Sequence, residues 1–315
     1  MNCLCCGKPL KTETESGWHK ACIRRFFGTS AIPEIEIDEA SLETLAIEST
    51  SKGLTIPGVQ KKLSLHLHSE GGKPRLTMVN YPTGYILKPQ EKDFECLPEA
   101  EQLVMCMADV TGIFTVPHAL VKSGGELAYI TKRVDRIISK SNVEMLAMED
   151  FCQLDGRLTA DKYKGSYERC AKVIEEHSSQ PGLDLAELFM RLVFSFAVGN
   201  SDMHLKNFSL IETSEASGRY SLSPAYDLLP VNVIMPEDKE ETALALNGKK
   251  TNIRKKDFIV FADECGIAKT SAEKMIAKIV SMKNKYIEMC ASSLLPDHLK
   301  SAFAGLIVNR CKELE

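Results

Sequence analysis

The 315-residue chain has no surplus of positive charge: Lys plus Arg total 39 against 43 Asp plus Glu, a net of −4. A dedicated polyanion binder usually shows the opposite balance, so direct nucleic-acid recognition is not expected, though a local basic patch stays compatible with these totals. Long apolar runs are missing too. The most apolar helical stretch, Leu185 to Gly199, is interrupted by Glu187, Arg191 and Ser195, short of the ~18 apolar residues a membrane span needs. No charged-then-apolar export segment opens the chain. The eleven cysteines are an odd number without an export signal, which predicts reduced thiols and a cytoplasmic location. Six of them, Cys96, Cys106, Cys152, Cys170, Cys265 and Cys290, fall in helix-like contexts.

What is present is ordinary globular composition, 44% hydrophobic and 26% charged, enough for a sizeable core. The length fits about two domains, or one domain of two lobes. Cysteine and histidine crowd the start. Cys3 and Cys6 have C-x2-C spacing, and His19 and Cys22 have H-x2-C spacing twelve residues later. Each elbow closes a turn tight enough to present both side chains to one point, so the four could hold one tetrahedral Zn²⁺. The alternative is a Cys-rich start whose thiols pack as small apolar groups, and Cys5 is left over in either case.

Residues 30 to 52 are polar and acidic, with helix potential over 41 to 51, and suit a linker or a partner-facing segment. Leu63, Leu65 and Leu67 alternate with Ser64, His66 and His68, the period of a half-buried strand whose histidines face solvent. A turn over 69 to 74 leads to Leu76, Met78 and Tyr81, and Tyr85 to Lys88 forms a short strand ending at Pro89. Pro98 and Glu99 open a helix whose apolar face carries Leu103, Val104, Met107 and Ala108, with Gly112 as its cap. A hairpin follows over 119 to 132, turning at Ser123-Gly-Gly-Glu126. From Met148 onward the pattern turns helical. Leu185, Leu188, Phe189, Leu192, Val193 and Phe196 mark a strongly buried helix, and Met275, Ile276, Ile279, Val280, Lys283 and Tyr286 mark one further long helix.

The chemistry concentrates in Phe196-Ala-Val-Gly-Asn-Ser-Asp-Met-His-Leu-Lys-Asn-Phe-Ser-Leu-Ile211. A buried helix ends at Gly199, a polar loop carries Asp202, His204, Lys206 and Asn207, and an apolar strand follows. Asp202 and Asn207 stand in D-x4-N spacing, as in a protein-kinase catalytic loop, where the Asp takes the acceptor hydroxyl proton and the Asn holds Mg²⁺. Asp227, after a short hairpin, supplies the second carboxylate that bridging the β- and γ-phosphates through metal requires. D-x4-N alone would more often be a plain polar turn. Its weight comes from order: a glycine-bearing loop (Gly53, Gly58), a strand Lys88, a helical Glu101 and a hairpin all precede it, as they do in kinases.

Several stretches together resemble the HipA-type toxin kinases of bacterial toxin–antitoxin systems. They are Pro57-Gly-Val-Gln-Lys-Lys-Leu63, Tyr85-Ile-Leu-Lys-Pro89, Lys132-Arg-Val-Asp-Arg136, Glu149-Asp-Phe-Cys-Gln153, Asn200-Ser-Asp-Met-His-Leu-Lys-Asn-Phe-Ser209 and Ser223-Pro-Ala-Tyr-Asp-Leu228. The resemblance covers residues 53 to 250, and the Cys-rich start also looks like the opening of short members. It implies an α+β, two-lobed, protein-kinase-like fold: a Cys/His-rich segment at 1–30, a linker at 31–52, a β-rich amino lobe at 53–135 and a helical carboxy lobe at 136–315. It implies Mg²⁺-ATP-dependent phosphorylation of serine or threonine on a protein, with aminoacyl-tRNA synthetases as the family's characteristic targets. Asp202 would be the base, Asn207 and Asp227 the Mg²⁺ ligands, and Lys88, partnered by Glu101, the phosphate anchor. Lys132, Arg133 and Val134 would be the adenine-meeting hinge. Pro57, Gly58, Val59, Gln60, Lys61 and Lys62 would cover the phosphates, and His204, Leu205 and Lys206 would line the nucleotide. For His204 a purely structural hydrogen bond is the alternative.

The sequence departs from the family pattern at three points. The loop has only Gly58 in place of a full G-x-G-x-x-G, so few backbone N–H groups are left to cradle phosphate. Where the family often carries an autophosphorylated serine, Thr55 is the only hydroxyl and Pro57 removes a donor. Phosphate there would add roughly −1.5 to −2 charge beside ATP and repel it or expel the loop; the alternative is that Thr55 is a plain turn residue. The chain also reaches this loop by residue 58, as in the short form of a three-gene system. There a separate small HipS-like subdomain protein and a DNA-binding HipB-like antitoxin would be the partners. Two rival functions keep parts of this reading: a kinase of a small-molecule acceptor, or a non-catalytic nucleotide-binding adaptor.

Overall fold

The computed structural model describes residues 2–11, 16–35, 62–68, 73–77, 83–138 and 143–315. The chain divides into two compact units, residues 1–102 with 116–134 and residues 103–115 with 135–315.

The first unit holds a short helix, α1 (Lys20–Phe27), and a six-stranded sheet. The strands are β1 (Glu34–Ile35), β2 (Leu63–His68), β3 (Arg75–Thr77), β4 (Tyr85–Lys88), β5 (His118–Ser123) and β6 (Glu126–Lys132), in the order β1-β3-β2-β4-β6-β5. All neighbours are antiparallel except β1 with β3. The alternation in β2 does its expected work at the start, where Leu63 and Leu65 are buried and Ser64 between them is exposed. His66 and His68, expected to be solvated, are half-buried; they lie opposite Thr77 and Arg75 of β3. The β5–β6 hairpin closes through Gly124 and Gly125, with φ 58° and 92°. Two successive positive φ values match the twist of the strands, and glycine reaches them without a Cβ penalty. Met78 and Tyr81, and the 41–51 helix potential, lie outside the described residues.

Helix α2 (Leu97–Thr111) contributes its first six residues to the first unit and the remainder to the second. Gly112 closes it with φ 88°. The second unit contains the two-stranded sheet of β7 (Arg136–Ile138) and β8 (Val143–Met145) and the three-stranded sheet of β9 (Met148–Asp150), β10 (Ser209–Glu212) and β11 (Tyr220–Leu222). Its other helices are α3 (Phe151–Leu154), α4 (Tyr167–His177), α5 (Pro181–Ala197), α6 (Val231–Ile234), α7 (Lys255–Glu264), α8 (Lys269–Ser281), α9 (Lys283–Ala291) and α10 (Asp297–Leu314).

Helix α5 is the spine of this unit: Leu185, Leu188, Phe189, Leu192, Val193, Phe194 and Phe196 are all buried. Burial on more than one side marks a central helix rather than a surface one. The single long helix expected over 275 to 286 is in fact two, α8 and α9. The chain breaks at Met282, whose N–H bonds Ile279 O and Val280 O instead of continuing the regular ladder. Ile276, Ile279 and Tyr286 still reach the core, so the apolar stripe survives the break.

Candidate active site

In the first unit, Lys88 ends β4 and Glu101 lies one turn into α2. The Lys88 Nζ sits 2.5 Å from Glu101 Oε1, with the two side chains only 4% and 0% exposed. The ring of Tyr129, on the neighbouring strand, lies 5.3 Å from the same Nζ. A lysine and a carboxylate so dry hold their charges only because they pair. Lys132, Arg133 and Val134 follow at the end of β6. The Lys132 N–H donates to Pro117 O and the Arg133 N–H to Gly84 O, both at 2.9 Å. Lys62, exposed, stands just ahead of β2. The rest of the expected phosphate loop, Pro57, Gly58, Val59, Gln60 and Lys61, and also Thr55, lies outside the described residues.

In the second unit the D-x4-N loop is built on the end of α5. Gly199 takes φ 68°, and a Cβ there would come within 2.9 Å of Leu306. Asn200 N–H donates to Ser195 O at 2.8 Å, turning the chain away from the helix. Asn207 then folds back, its Nδ2 donating to the Asp202 carbonyl at 2.7 Å. This clasp fixes the backbone of Asp202 and leaves the Asn207 amide oxygen as an acceptor or ligand. Asp202 is half-buried, and Asn207 is buried. His204 N–H donates to Asp202 O at 2.8 Å, and its ring meets Tyr163 edge-on with centroids 5.0 Å apart. Leu205 is fully buried, and its N–H donates to Lys162 O at 3.1 Å, so it packs under the loop.

Asp227 has φ 62°, a left-handed conformation that costs a non-glycine residue about 1 kcal/mol or more. Its neighbours hold it there. Tyr226 OH donates to Lys206 O at 3.0 Å and meets Ser209 Oγ at 2.6 Å. Upstream, Ser223 O accepts from Arg191 Nη2 at 2.8 Å, and Leu222 N–H donates to Asp184 Oδ2 at 2.8 Å. Both anchors come from α5, so one helix positions the D-x4-N loop and the strand that leads to Asp227.

Sequence reasoning missed several participants. Tyr163 OH donates to Asp202 Oδ1 at 2.7 Å. Burial first, and then the negative charges of Asp202, Asp238 and Asp227, push its phenol well above the usual range. Asp150 Oδ2 pairs with Lys206 Nζ at 2.6 Å, while its Oδ1 accepts from Gln153 N–H and caps α3. Asp150 and Gln153 lie within the quoted Glu149-Asp-Phe-Cys-Gln153 stretch, which had no role attached. Tyr163 carries no motif, and only the fold brings it to Asp202. Ser201 Oγ donates to Asp238 Oδ2 at 2.7 Å, bracing the loop from the far side.

Comparison with known proteins follows the same lines. The family model for the HipA-like C-terminal domain matches residues 54–286. A Haemophilus influenzae protein named "Putative kinase" is 27% identical over 92% of this chain and 90% of its own length. Two Sinorhizobium fredii proteins, "Putative kinase Y4mE" and "Putative kinase Y4dM", are 27% and 32% identical over 82% and 74% of this chain. The chain spans 63% and 57% of their lengths. Among solved structures, HipA of the Shewanella oneidensis toxin–antitoxin system, in complex with HipB and operator DNA, superimposes with a TM-score of 0.69 at 20% identity. That match covers 82% of this chain and 64% of HipA. The Helicobacter pylori proinflammatory kinase CtkA gives a TM-score of 0.55 at 15% identity, over 75% of this chain and 86% of its own. The strand-rich and helical units therefore make a kinase-like fold, and the chain belongs to the HipA-like C-terminal domain family, a family of HipA-type kinases.

Proposed function

We propose that this protein transfers the γ-phosphoryl group of ATP to a serine or threonine hydroxyl of a protein. The observation that carries this reading is the Asn207–Asp202 clasp beside a left-handed Asp227, with several carboxylates acting on one phenol. Asp202 accepts the proton of the acceptor hydroxyl. The freed oxygen bonds to the γ-phosphorus as the bond to the β–γ bridging oxygen breaks, and ADP leaves with that electron pair. Asn207 Oδ1 and the Asp227 carboxylate are a hard oxygen donor set suited to Mg²⁺, which when bound neutralises phosphate charge. Lys88, held by Glu101, anchors phosphate. At the hinge, two N–H groups are already paired within the protein, so adenine would be met by the Val134 backbone and by carbonyls. Lys206 is engaged with Asp150 and would reach nucleotide by exchanging that partner.

The family resemblance supports a toxin role, an aminoacyl-tRNA synthetase as the target class, and restraint by antitoxins of the HipS-like and HipB-like kinds. Phosphate on Thr55, which the resemblance puts in the phosphate loop, would act as a brake through charge repulsion. The test is intact-protein mass spectrometry of the wild type and Asp202→Asn after incubation with Mg²⁺-ATP, with fragmentation across residues 50–62. Added phosphate at Thr55 in the wild type alone supports both the kinase and its brake. Phosphate added equally to both proteins removes Asp202 from its role, and none at Thr55 in an enzyme active on a client withdraws the brake.

A further inference from the structure

The Cys- and His-rich start belongs to the first unit and takes no part in the site above. Residues 3–8 form a tight hairpin in which Cys3 N–H donates to Lys8 O at 2.8 Å and Gly7 N–H to Cys3 O at 2.9 Å. Gly7 has φ 66°, and the turn presents Cys3 and Cys6 to one side. His19 then stands at the N-cap position of α1, whose first turn carries Cys22. The three Sγ atoms and one imidazole nitrogen all lie within 4.8 Å of one another.

The distances from the imidazole to two of the sulfurs are those of a coordination shell. Zn–S bonds of ~2.3 Å and Zn–N bonds of ~2.0 Å give tetrahedral edges of roughly 3.5–3.8 Å. His19 Nδ1 stands 3.4 Å from Cys6 Sγ and 3.8 Å from Cys22 Sγ. The other ring nitrogen, Nε2, faces Pro9 O at 3.1 Å. A carbonyl only accepts, so the proton sits on Nε2 and the Nδ1 lone pair points between the two sulfurs. That outer contact on the far nitrogen is how metal-binding imidazoles are oriented. His19 N–H donates to Cys3 Sγ at 3.4 Å, the kind of contact that stabilises a thiolate. Every one of these cysteines is free, so no disulfide competes for the sulfurs. Cys5 Sγ donates to His118 O at 4.0 Å and stands outside the four-ligand group.

We propose that Cys3, Cys6, His19 and Cys22 bind one Zn²⁺ in a closed structural site that locks residues 2–11 and 16–27 onto the first unit. A set of three thiolates and one imidazole with no place for water suits structural zinc and not catalysis. What it would lock is specific. Leu120 N–H donates to Leu4 O at 2.9 Å, Trp18 Nε1 to Leu120 O at 3.0 Å, and Gln102 Nε2 to Cys5 O at 2.9 Å. Trp18, Phe26, Phe27 and Tyr85 form an aromatic cluster with centroids 4.8 to 5.9 Å apart. Gln102 neighbours Glu101, and Tyr85 shares β4 with Lys88. The metal thus braces the two elements that carry the buried ion pair.

The full chain purified under reducing conditions without chelator is expected to hold about one zinc per molecule. After metal removal it takes up Co²⁺ with the visible ligand-field bands of a four-coordinate, thiolate-bound ion. Cys5→Ser keeps both properties, and Cys22→Ser loses the four-coordinate spectrum. His19→Cys, which exchanges one ligand for another, keeps the metal with an altered spectrum. These readouts use no kinase activity, so they stand or fall apart from the function proposed above. Wild-type protein with reduced thiols that holds no zinc and gives no such Co²⁺ spectrum overturns the site. Full metal content in Cys22→Ser overturns the ligand assignment. A thermal midpoint unmoved by chelation of the zinc-loaded protein overturns the bracing role.

Discussion

Two lysine–carboxylate pairs in this molecule have nearly the same length and very different surroundings. Lys88 and Glu101 meet at 2.5 Å with side chains 4% and 0% exposed. Lys206 and Asp150 meet at 2.6 Å with side chains 32% and 13% exposed. In the dry pair neither charge can be left alone, because water cannot replace the missing partner. In the wetter pair water can, so the lysine is able to change partners at modest cost. Distance alone would rank them equal. Burial separates a fixed element of the fold from one suited to exchange with a ligand.

The comparison can be broken or sharpened experimentally. The largest effect is expected at the site: Asp227→Asn should lower phosphoryl transfer by about 10³-fold with an unchanged circular dichroism spectrum, because the carboxylate that would hold the metal is gone. Turnover within a few-fold of wild type would remove Asp227 from the reaction. Next, Glu101→Leu should cost roughly 3–5 kcal/mol in urea unfolding by stranding the Lys88 charge. The double variant Lys88→Met with Glu101→Leu should regain most of that stability while staying catalytically impaired. If the double variant is no more stable than the single one, the pair is not dry.

Lys206→Met should cost no more than about 1 kcal/mol in stability, and its effect should appear instead in KM for ATP. A loss as large as that of Glu101→Leu would erase the distinction between the two pairs. The smallest effect concerns Asp155. Burial opposes its ionisation, but hydrogen bonds from Arg157 and Arg169 outweigh this and hold its carboxyl below the usual range. A carboxyl with a depressed folded-state pKa stabilises the protein fully above the unfolded value of ~3.9 and loses that contribution as pH falls further. Since both arginines are about one-third exposed, the contribution should be no more than about 1 kcal/mol. Asp155→Asn should lower stability at neutral pH and converge on the wild type in acid, and a constant gap down to low pH would rule this out.

Much of the molecule could be read along the chain. Alternation at Leu63 and Leu65 found a strand because its period is local, and the Ser123-Gly-Gly-Glu126 turn found a hairpin because backbone sterics decide it. The apolar steps of α5 located the central helix for the same reason. The tally of spacing and order also brought Asp202, Asn207, Asp227, Lys88 and Glu101 forward together. The break at Met282 stayed hidden, since an apolar stripe runs through it unchanged.

The sequence by itself determined the elements and the kinds of chemistry on offer, because propensity, turn sterics and motif spacing act over a few residues. Only the tertiary structure decided which partners those groups meet. Tyr163 reaches Asp202 across 39 positions, and Asp150 reaches Lys206 across 56. Arg191 reaches Ser223 across 32. No local rule encodes such pairings, for they arise when buried polar groups must find partners in a core already fixed by apolar packing.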